Sequence, residues 1–327
     1  MESITKNRQS LPALRAMISR AYGVSRVPTG DDWVTELSHG WFSVAYRIRL
    51  RDGAQVVLKI APPAGVEVLT YERGAMATEL AAIRLIREHT TVPVPDVHFA
   101  DCSHELCDSD YFFMGFVDAP NFGMIKEQLS PAERDRYNEA LGATTRELNS
   151  IKGPGFGPLA GPFVASWRVR FAAMVEDILR DGERRSVDLG WDYAEVRKVF
   201  TEHAPTLDEV TEPVFVEWDL WDNNAMISDG RIACVIDHER AFYGDPLIEA
   251  GFTAFEMPVF GSSTAFMRGY GRTELSPAER IRRRLYTMYL AVIMVVETRY
   301  RGHNDDEEYD FARARIDDLM ALLGRTH

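Results

Sequence analysis

Apolar positions recur at two different periods along this chain, and the change of period divides it. Residues 11–22 (LPALRAMISRAY) carry apolar side chains near every 3.6 residues, which predicts an amphipathic helix. From Trp33 the period falls to two. Trp33–Leu37 and Ser43–Leu50 alternate like strands, joined by Ser38-His-Gly-Trp-Phe42. Asp52-Gly53 is a hairpin signal, and Gln55–Ile60 is a strand with one lysine, Lys59, among apolar neighbours. A helical stretch over 71–89 stops before the Val92-Pro-Val-Pro95 break, and strands are predicted near Val97–Ala100 and at Tyr111–Val117.

Beyond Asn121 the pattern is mostly helical. Ser130-Pro-Ala-Glu133 combines an N-cap, a first-turn proline and a capping-box glutamate. The same six residues, LSPAER, recur at 275–280, but the flanks do not correspond, so this is repeated start chemistry and not an internal repeat. Gly153–Pro158 is a stiff turn cluster. Helices are predicted over 167–179, 193–203, 282–300 and 309–323. One interruption stands out. Residues 213–216 read as a short buried strand, Ala225–Ile227 as a second and Ile232–Ile236 as a third, with Asp229-Gly230 as the hairpin turn between the last two. This places Asp219 and Asn224 close to Asp237, at strand ends.

Composition narrows the classes. A chain of 327 residues suits two lobes. Its formal net charge of -13 argues against nucleic acid or an anionic membrane as partner. Three cysteines, Cys102, Cys107 and Cys234, fit a reducing compartment. His98, Cys102, His104 and Cys107 match no standard zinc spacing and read as a solvated loop. The longest apolar run, Leu285–Val296, is too short to span a bilayer, and the N-terminus lacks a signal-peptide core. A cytoplasmic enzyme is the expectation.

Two carboxylates and an amide converging at strand ends form a hard-oxygen set suited to Mg²⁺. Their order, Asp-x-x-x-x-Asn, hairpin, Asp, is also that of the catalytic loop and metal-binding aspartate of kinases. The stretch 215–249 resembles the aminoglycoside phosphotransferase and choline kinase superfamily, whose pattern is His-Gly-Asp-x-x-x-x-Asn followed by Ile-Asp-Trp/Phe-Glu and Gly-Asp-Pro. Asp219 matches the catalytic aspartate, Asn224 and Asp237 the metal ligands, and Gly244-Asp245-Pro246 the closing motif. The motif histidine is Glu217 here.

The resemblance implies an α+β, bilobal protein-kinase-like fold: an antiparallel-sheet, nucleotide-binding N-lobe over 1–117 and a mostly helical C-lobe over 118–327. It implies ATP, with GTP as the alternative, and Mg²⁺. Lys59 would contact the phosphates and pair with a glutamate of the next helix, where Glu79 is preferred to Glu72. Ser38, Gly40 and Ser43 would belong to the phosphate-covering loop, and Met114 and Phe116 to the hinge reading the purine. Gly115 stands where relatives often have an acidic residue. Asp245 would anchor the fold, Glu239 would be a partner of the site or a surface residue, and Glu217 would brace the catalytic loop. The reaction would be O-phosphorylation of a hydroxyl-bearing small molecule, aminoglycoside-like or an amino alcohol, by a monomer or homodimer. The alternative is a catalytically silent nucleotide-binding protein, because Glu217 cannot donate as a histidine does unless protonated. Glu249, Glu256, Glu297 and the Asp305–Glu308 run raise the expectation of a cationic acceptor, with Glu297 pairing to Arg299 or Arg301 or facing a polar cleft.

Overall fold

The structure is a computed structural model and describes residues 3–38, 40–302 and 306–325. Asp305, the first acid of the C-terminal run, lies outside the described residues. The fold is α+β, and the chain forms two compact units: 1–68 with 95–118 and 300–304, and 69–94 with 119–299 and 305–327.

The first unit is a five-stranded antiparallel sheet in the order β1-β2-β3-β5-β4. Its strands are β1 (Val34–Leu37), β2 (Val44–Arg49), β3 (Gln55–Ile60), β4 (Val97–Asp101) and β5 (Tyr111–Gly115). Helix α1 (Leu11–Tyr22) starts at Ser10, whose side chain accepts from Ala13 N–H, and it buries Leu14, Met17 and Ile18. That i, i+3, i+4 spacing is one helical face. In β2, Val44, Tyr46 and Ile48 are buried while Arg47 and Arg49 are exposed, so one face of the strand looks into the core. β3 lies between β2 and β5, and all its residues after Gln55 are buried. The result is one apolar cluster running from α1 through Tyr46, Leu58 and Phe113.

The second unit is mostly helical. It contains α2 (Ala75–His89), α3 (Phe122–Ile125), α4 (Pro131–Leu148), α5 (Trp167–Arg184), α6 (Tyr193–His203), α7 (Thr264–Tyr270), α8 (Pro277–Arg301) and α9 (Asp306–Leu322). Tyr300 and Arg301, at the end of α8, group with the first unit. No helix among the described residues is long and apolar enough to cross a membrane. β6 (Gly157–Pro158), β10 (Phe242–Gly244) and β7 (Val214–Val216) form a small sheet, and β8 (Ala225–Ser228) pairs with β9 (Arg231–Val235). The hairpin turn has positive φ at both central residues, Asp229 (51°) and Gly230 (75°), as a type I′ turn requires.

Two details position the site. α4 and α7 touch backbone to backbone, because Gly142 and Gly269 face each other's helix. A Cβ at Gly142 would sit 1.9 Å from Phe266 O, and one at Gly269 1.8 Å from Glu139 O. This contact sets α4, and hence Asn149 at its C-cap. Further, Trp167, Phe171, Phe242, Tyr286, Tyr289 and Trp218 form an aromatic cluster with ring centroids 5.0–6.2 Å apart along its pairs. The sequence pattern missed β10 and α7, which are short. It also placed the starts of α8 and α9 too late, since their first turns are polar.

Candidate active site

β7 delivers the chain into a tight loop. Asp219 N–H donates to Glu217 O (2.8 Å), Trp221 N–H to Asp219 O (2.9 Å) and Asn224 N–H to Trp221 O (3.0 Å). The Asn224 side-chain amide donates to Asp219 O at 2.8 Å, which fixes the amide and leaves its oxygen as an acceptor. Ile236 N–H returns to Asn224 O (3.0 Å), so the end of the hairpin is tied to the start of β8. Asp219 and Asn224 are thus joined directly, and Asp237 follows one residue after that tie.

The loop is strained. Trp218 occupies the glycine place of the motif with φ 62°, and Asp237 has φ 70°. Both lie in the left-handed region that bulky residues rarely adopt. Glu249 supports the first. Its carboxylate, 1% exposed, accepts from Glu217 N–H (3.0 Å), Trp218 N–H (2.8 Å) and Asn149 Nδ2 (2.8 Å). Burial pushes it up to about 8, against the pull of those donors. The Trp218 ring stacks on Tyr289 at 5.6 Å, which adds packing to the hydrogen bond.

The Asp219 carboxylate is half-buried. Oδ1 accepts from Trp221 Nε1 at 2.9 Å, and Oδ2 faces Arg240 Nε at 3.7 Å. Arg240 also reaches Glu297 at 3.6 Å and lies over the rings of Tyr71 (5.3 Å) and Trp218 (5.8 Å). Burial raises Asp219 to about 6. Arg240 opposes the rise, and Asp237, Glu239 and Glu297 add to it. A cavity of about 10 Å³, room for one water, opens beside this carboxylate and is lined also by Trp221, Arg240, Arg283 and Tyr286. Arg283 is 1% exposed and donates to Leu247 O, Thr253 Oγ1 (3.1 Å) and Thr287 Oγ1 (3.0 Å). Burial lowers it to about 10. A larger cleft of about 400 Å³ lies past Asp245 and includes none of Asp219, Asn224 or Asp237, so size does not mark the site here.

Glu79, Asp237 and Glu239 offer carboxylate oxygens within 4.8 Å of one another. Three hard anionic donors so close fit a divalent cation. The sequence joined only Asn224 and Asp237 as ligands. It read Glu79 as a lysine partner and left Glu239 open.

His238 went unnoticed in the sequence. It is fully buried, with Nδ1 2.8 Å from Glu217 Oε1 and Nε2 3.1 Å from Val235 O. Burial lowers its basicity, but the Glu217 carboxylate outweighs that and leaves it raised. Burial also raises Glu217, against His238. The signal was available: the motif lacks a histidine at 217 and carries one at 238, where relatives have an aromatic residue.

Asp245 accepts from Leu247 N–H (3.0 Å) and Tyr286 OH (2.6 Å) and meets Arg282 at 3.1 Å. Tyr286 in turn accepts from Trp167 Nε1 (2.7 Å). Asp245 is therefore tied into the aromatic cluster.

In the first unit, Lys59 is 7% exposed on β3, opposite Ala45 and Phe112. Ser38 and Gly40 are exposed between β1 and β2, and Ser43 is buried with its carbonyl bonded by Lys6 Nζ at 2.8 Å. Met114 sits on β5 opposite Val57, and Phe116 follows it with its ring under Arg47 at 4.1 Å. The N–H groups of Gly115 and Phe116 donate to Asp96 O (2.9 Å) and Gln55 O (3.4 Å).

Three of the acids expected to draw a cation have partners within the second unit. Glu249 holds the loop. Glu256 pairs with Arg280 (3.1 Å) and Arg284 (2.9 Å), and Glu297 meets Arg240 at 3.6 Å. Glu249 and Glu256 are thus paired inside the unit, and Glu297 faces Arg240 beside Asp219.

The profile of the Phosphotransferase enzyme family matches residues 33–286. Among solved structures, a thermostable mutant of aminoglycoside phosphotransferase APH(4)-Ia is similar. It is 20% identical, with 95% of this chain and 100% of that one covered and a TM-score of 0.69. A putative fructosamine-3-kinase from Thermobifida fusca YX-ER1 is 21% identical, with 93% and 98% covered and a TM-score of 0.62. The streptomycin-ATP-APH(2")-IIa ternary complex is 16% identical, with 96% and 97% covered and a TM-score of 0.62. At these identities the likeness is one of fold. No curated protein matches.

Proposed function

Because the chain belongs to the Phosphotransferase enzyme family, we propose that it transfers a phosphoryl group from ATP to a hydroxyl of a small molecule. The observation that carries this reading is the Asp219 carboxylate. It is held between the Trp221 indole Nε1–H and Arg240, beside a cavity of hydroxyl size, on the loop that also fixes Asn224. Asp219 would orient the acceptor hydroxyl and take its proton as the oxygen attacks the γ-phosphorus. Its elevated basicity suits a base working near neutral pH.

Asn224 and Asp237 would hold Mg²⁺, with Glu79 and Glu239 adjoining. The ion, when bound, neutralises charge on the β- and γ-phosphates. Lys59, Ser38, Gly40, Ser43, Met114 and Phe116 would serve the nucleotide, in an N-lobe of residues 1–117. Arg240 would keep Asp219 ionised despite its burial. Aromatic walls and two guanidinium groups beside the reacting carboxylate favour an acceptor whose own cation, where present, lies away from the attacked hydroxyl.

A second reading, a silent nucleotide-binding protein, rested on Glu217 in the histidine position. The Glu217–His238 contact weakens it, since the loop has a brace. The test is phosphate transfer from γ-labelled ATP, and in parallel GTP, across a panel of neutral, cationic and anionic hydroxyl compounds with Mg²⁺. The reading expects one acceptor class to be labelled. Tight Mg²⁺-ATP binding by calorimetry without transfer to any acceptor would favour the silent protein.

A further inference from the structure

We propose that Glu217 and His238 form an exchanged brace, in which the imidazole of the catalytic-loop motif has moved to the far end of the hairpin. This rests on the phosphotransferase reading above and names two positioning residues for it. Glu217 lies two residues before Asp219, and His238 directly follows Asp237. One 2.8 Å hydrogen bond between them therefore ties the loop of the base to the turn of the metal-binding carboxylate.

The chemistry of the contact is restrictive. His238 Nε2 meets a backbone carbonyl, Val235 O, which only accepts, so Nε2 carries a proton. At Nδ1 the partner is a carboxyl oxygen. Either Nδ1 donates to a carboxylate, or a protonated Glu217 donates to Nδ1. Both arrangements contain the same number of protons, and both make the pair neutral overall. Glu217 alone would be a carboxyl group shut away from water at 1% exposure without a side-chain partner, a costly burial. Paired, it adds no net charge to the site. Glu217 Oε2 has no hydrogen-bond partner among the described residues, so the bond from Oε1 to His238 is what fixes this carboxyl group.

The pair also explains how a left-handed tryptophan is tolerated in the loop. Trp218 sits between Glu217, fixed by His238, and Asp219, with its own N–H on Glu249. Loss of either end would free the segment that aims Asp219. A displacement of about 1 Å at a reacting group can lower a rate on the order of 100-fold.

The experiment uses the full-length protein and compares Glu217→Gln, His238→Phe, Glu217→His, the exchange Glu217→His/His238→Glu, and the motif-like Glu217→His/His238→Trp. His238→Phe and Glu217→His are each expected to lower kcat by about 100-fold with KM for acceptor and nucleotide within about threefold, whereas Glu217→Gln is expected to stay within about tenfold of wild type. The two double variants are expected to recover kcat to within about tenfold of wild type, with the unfolding midpoint recovered in parallel. Glu217→Gln is nearly isosteric and keeps a neutral hydrogen bond to His238, so it is the conservative variant that separates the bond from packing alone. Wild-type kcat in a folded His238→Phe would overturn the brace, and so would a Glu217→Gln variant that keeps the bond yet is as impaired as the other single variants. So would folded double variants no more active than those, while the active wild type would leave the phosphotransferase reading standing. A wild type without turnover on any acceptor would instead remove that reading, and the positioning role with it.

Discussion

The two units bury different things. In the first, the interior is a continuous apolar cluster of strand and helix side chains, including Leu58, Ile60 and Phe113 at 0% exposure. In the second, ionisable groups are buried beside the loop that carries Asp219: Glu217 (1%), His238 (0%), Asp245 (2%), Glu249 (1%) and Arg283 (1%). Packing suffices to hold a regular sheet, because the ladder satisfies its own backbone. It cannot hold the start of the 217–221 loop, where the N–H groups of Glu217 and Trp218 need acceptors and the φ of Trp218 opposes the side chain it carries. Carboxylates do that work, at a desolvation cost that a purely structural core avoids. Buried charge here marks where geometry matters more than stability.

The sharpest way to break this comparison is at Asp219. Asp219→Asn keeps the shape and an acceptor for Trp221 Nε1, yet removes the base. Its kcat should fall on the order of 10²–10⁴-fold, with nucleotide affinity by calorimetry little changed. Near-normal turnover would mean the loop is built around something other than proton transfer.

A matched pair of core variants comes next. Phe113→Ala in the first unit should cost about 3–5 kcal/mol in denaturant unfolding by leaving a cavity. Once assayed well below its midpoint, it should show wild-type kcat. Glu249→Ala in the second unit leaves two loop N–H groups and Asn149 without their acceptor, and should cost about 2–4 kcal/mol. It should also lose about 100-fold in kcat. If both variants kept full kcat, the buried carboxylate would be stability alone, and the distinction between the units would collapse.

The same contrast explains what the sequence made legible. The sheet was readable because alternation at Val44, Tyr46 and Ile48 and the Asp52-Gly53 turn are local signals. The hairpin was readable too, since Asp229-Gly230 allows one turn type and thereby brings Asp237 back toward Asn224. Glu79 joining Asp237 and Glu239 was not legible. That cluster depends on packing between a helix and a hairpin more than 150 residues apart in the chain. Glu249 was read as an acid that would draw a cationic acceptor for the same reason: its three donors, on Asn149, Glu217 and Trp218, lie 31 to 100 residues away in the chain. His238 could have been found by asking where the missing histidine had gone.

A smaller effect concerns pH. Burial raises Asp219 to about 6, and in the proposed mechanism the ionised form would be the base. Consequently kcat/KM should be flat above about pH 7 and fall about tenfold per unit once the pH is well below 6. Stability moves the other way. The folded protein holds this proton more tightly than the unfolded chain, whose aspartates titrate near 3.8. Lowering the pH from above 6 toward 3.8 thus stabilises the fold through this group, and the activity loss is not unfolding. Arg240→Met removes the opposing cation and should shift the break to higher pH. A profile unmoved by that change would assign the break to another group.

The smallest prediction asks whether charge or burial separates the units. Each unit has an exposed ion pair at 2.7 Å: Arg8–Glu36 in the first and Lys152–Glu212 in the second. In water-facing positions the attraction is weak and holding two long side chains together is unfavourable, so such pairs contribute about 0–1 kcal/mol. Arg8→Ala and Lys152→Ala should therefore change stability by less than about 1 kcal/mol in both units, the more so in 0.5 M salt, where screening acts within about 4 Å. Neither should alter kcat. A loss of several kcal/mol for Lys152→Ala alone would show that the second unit depends on ion pairs even at its surface. Equal, small losses would place its special chemistry where the carboxylates are shut away from water, around residues 217, 238 and 249.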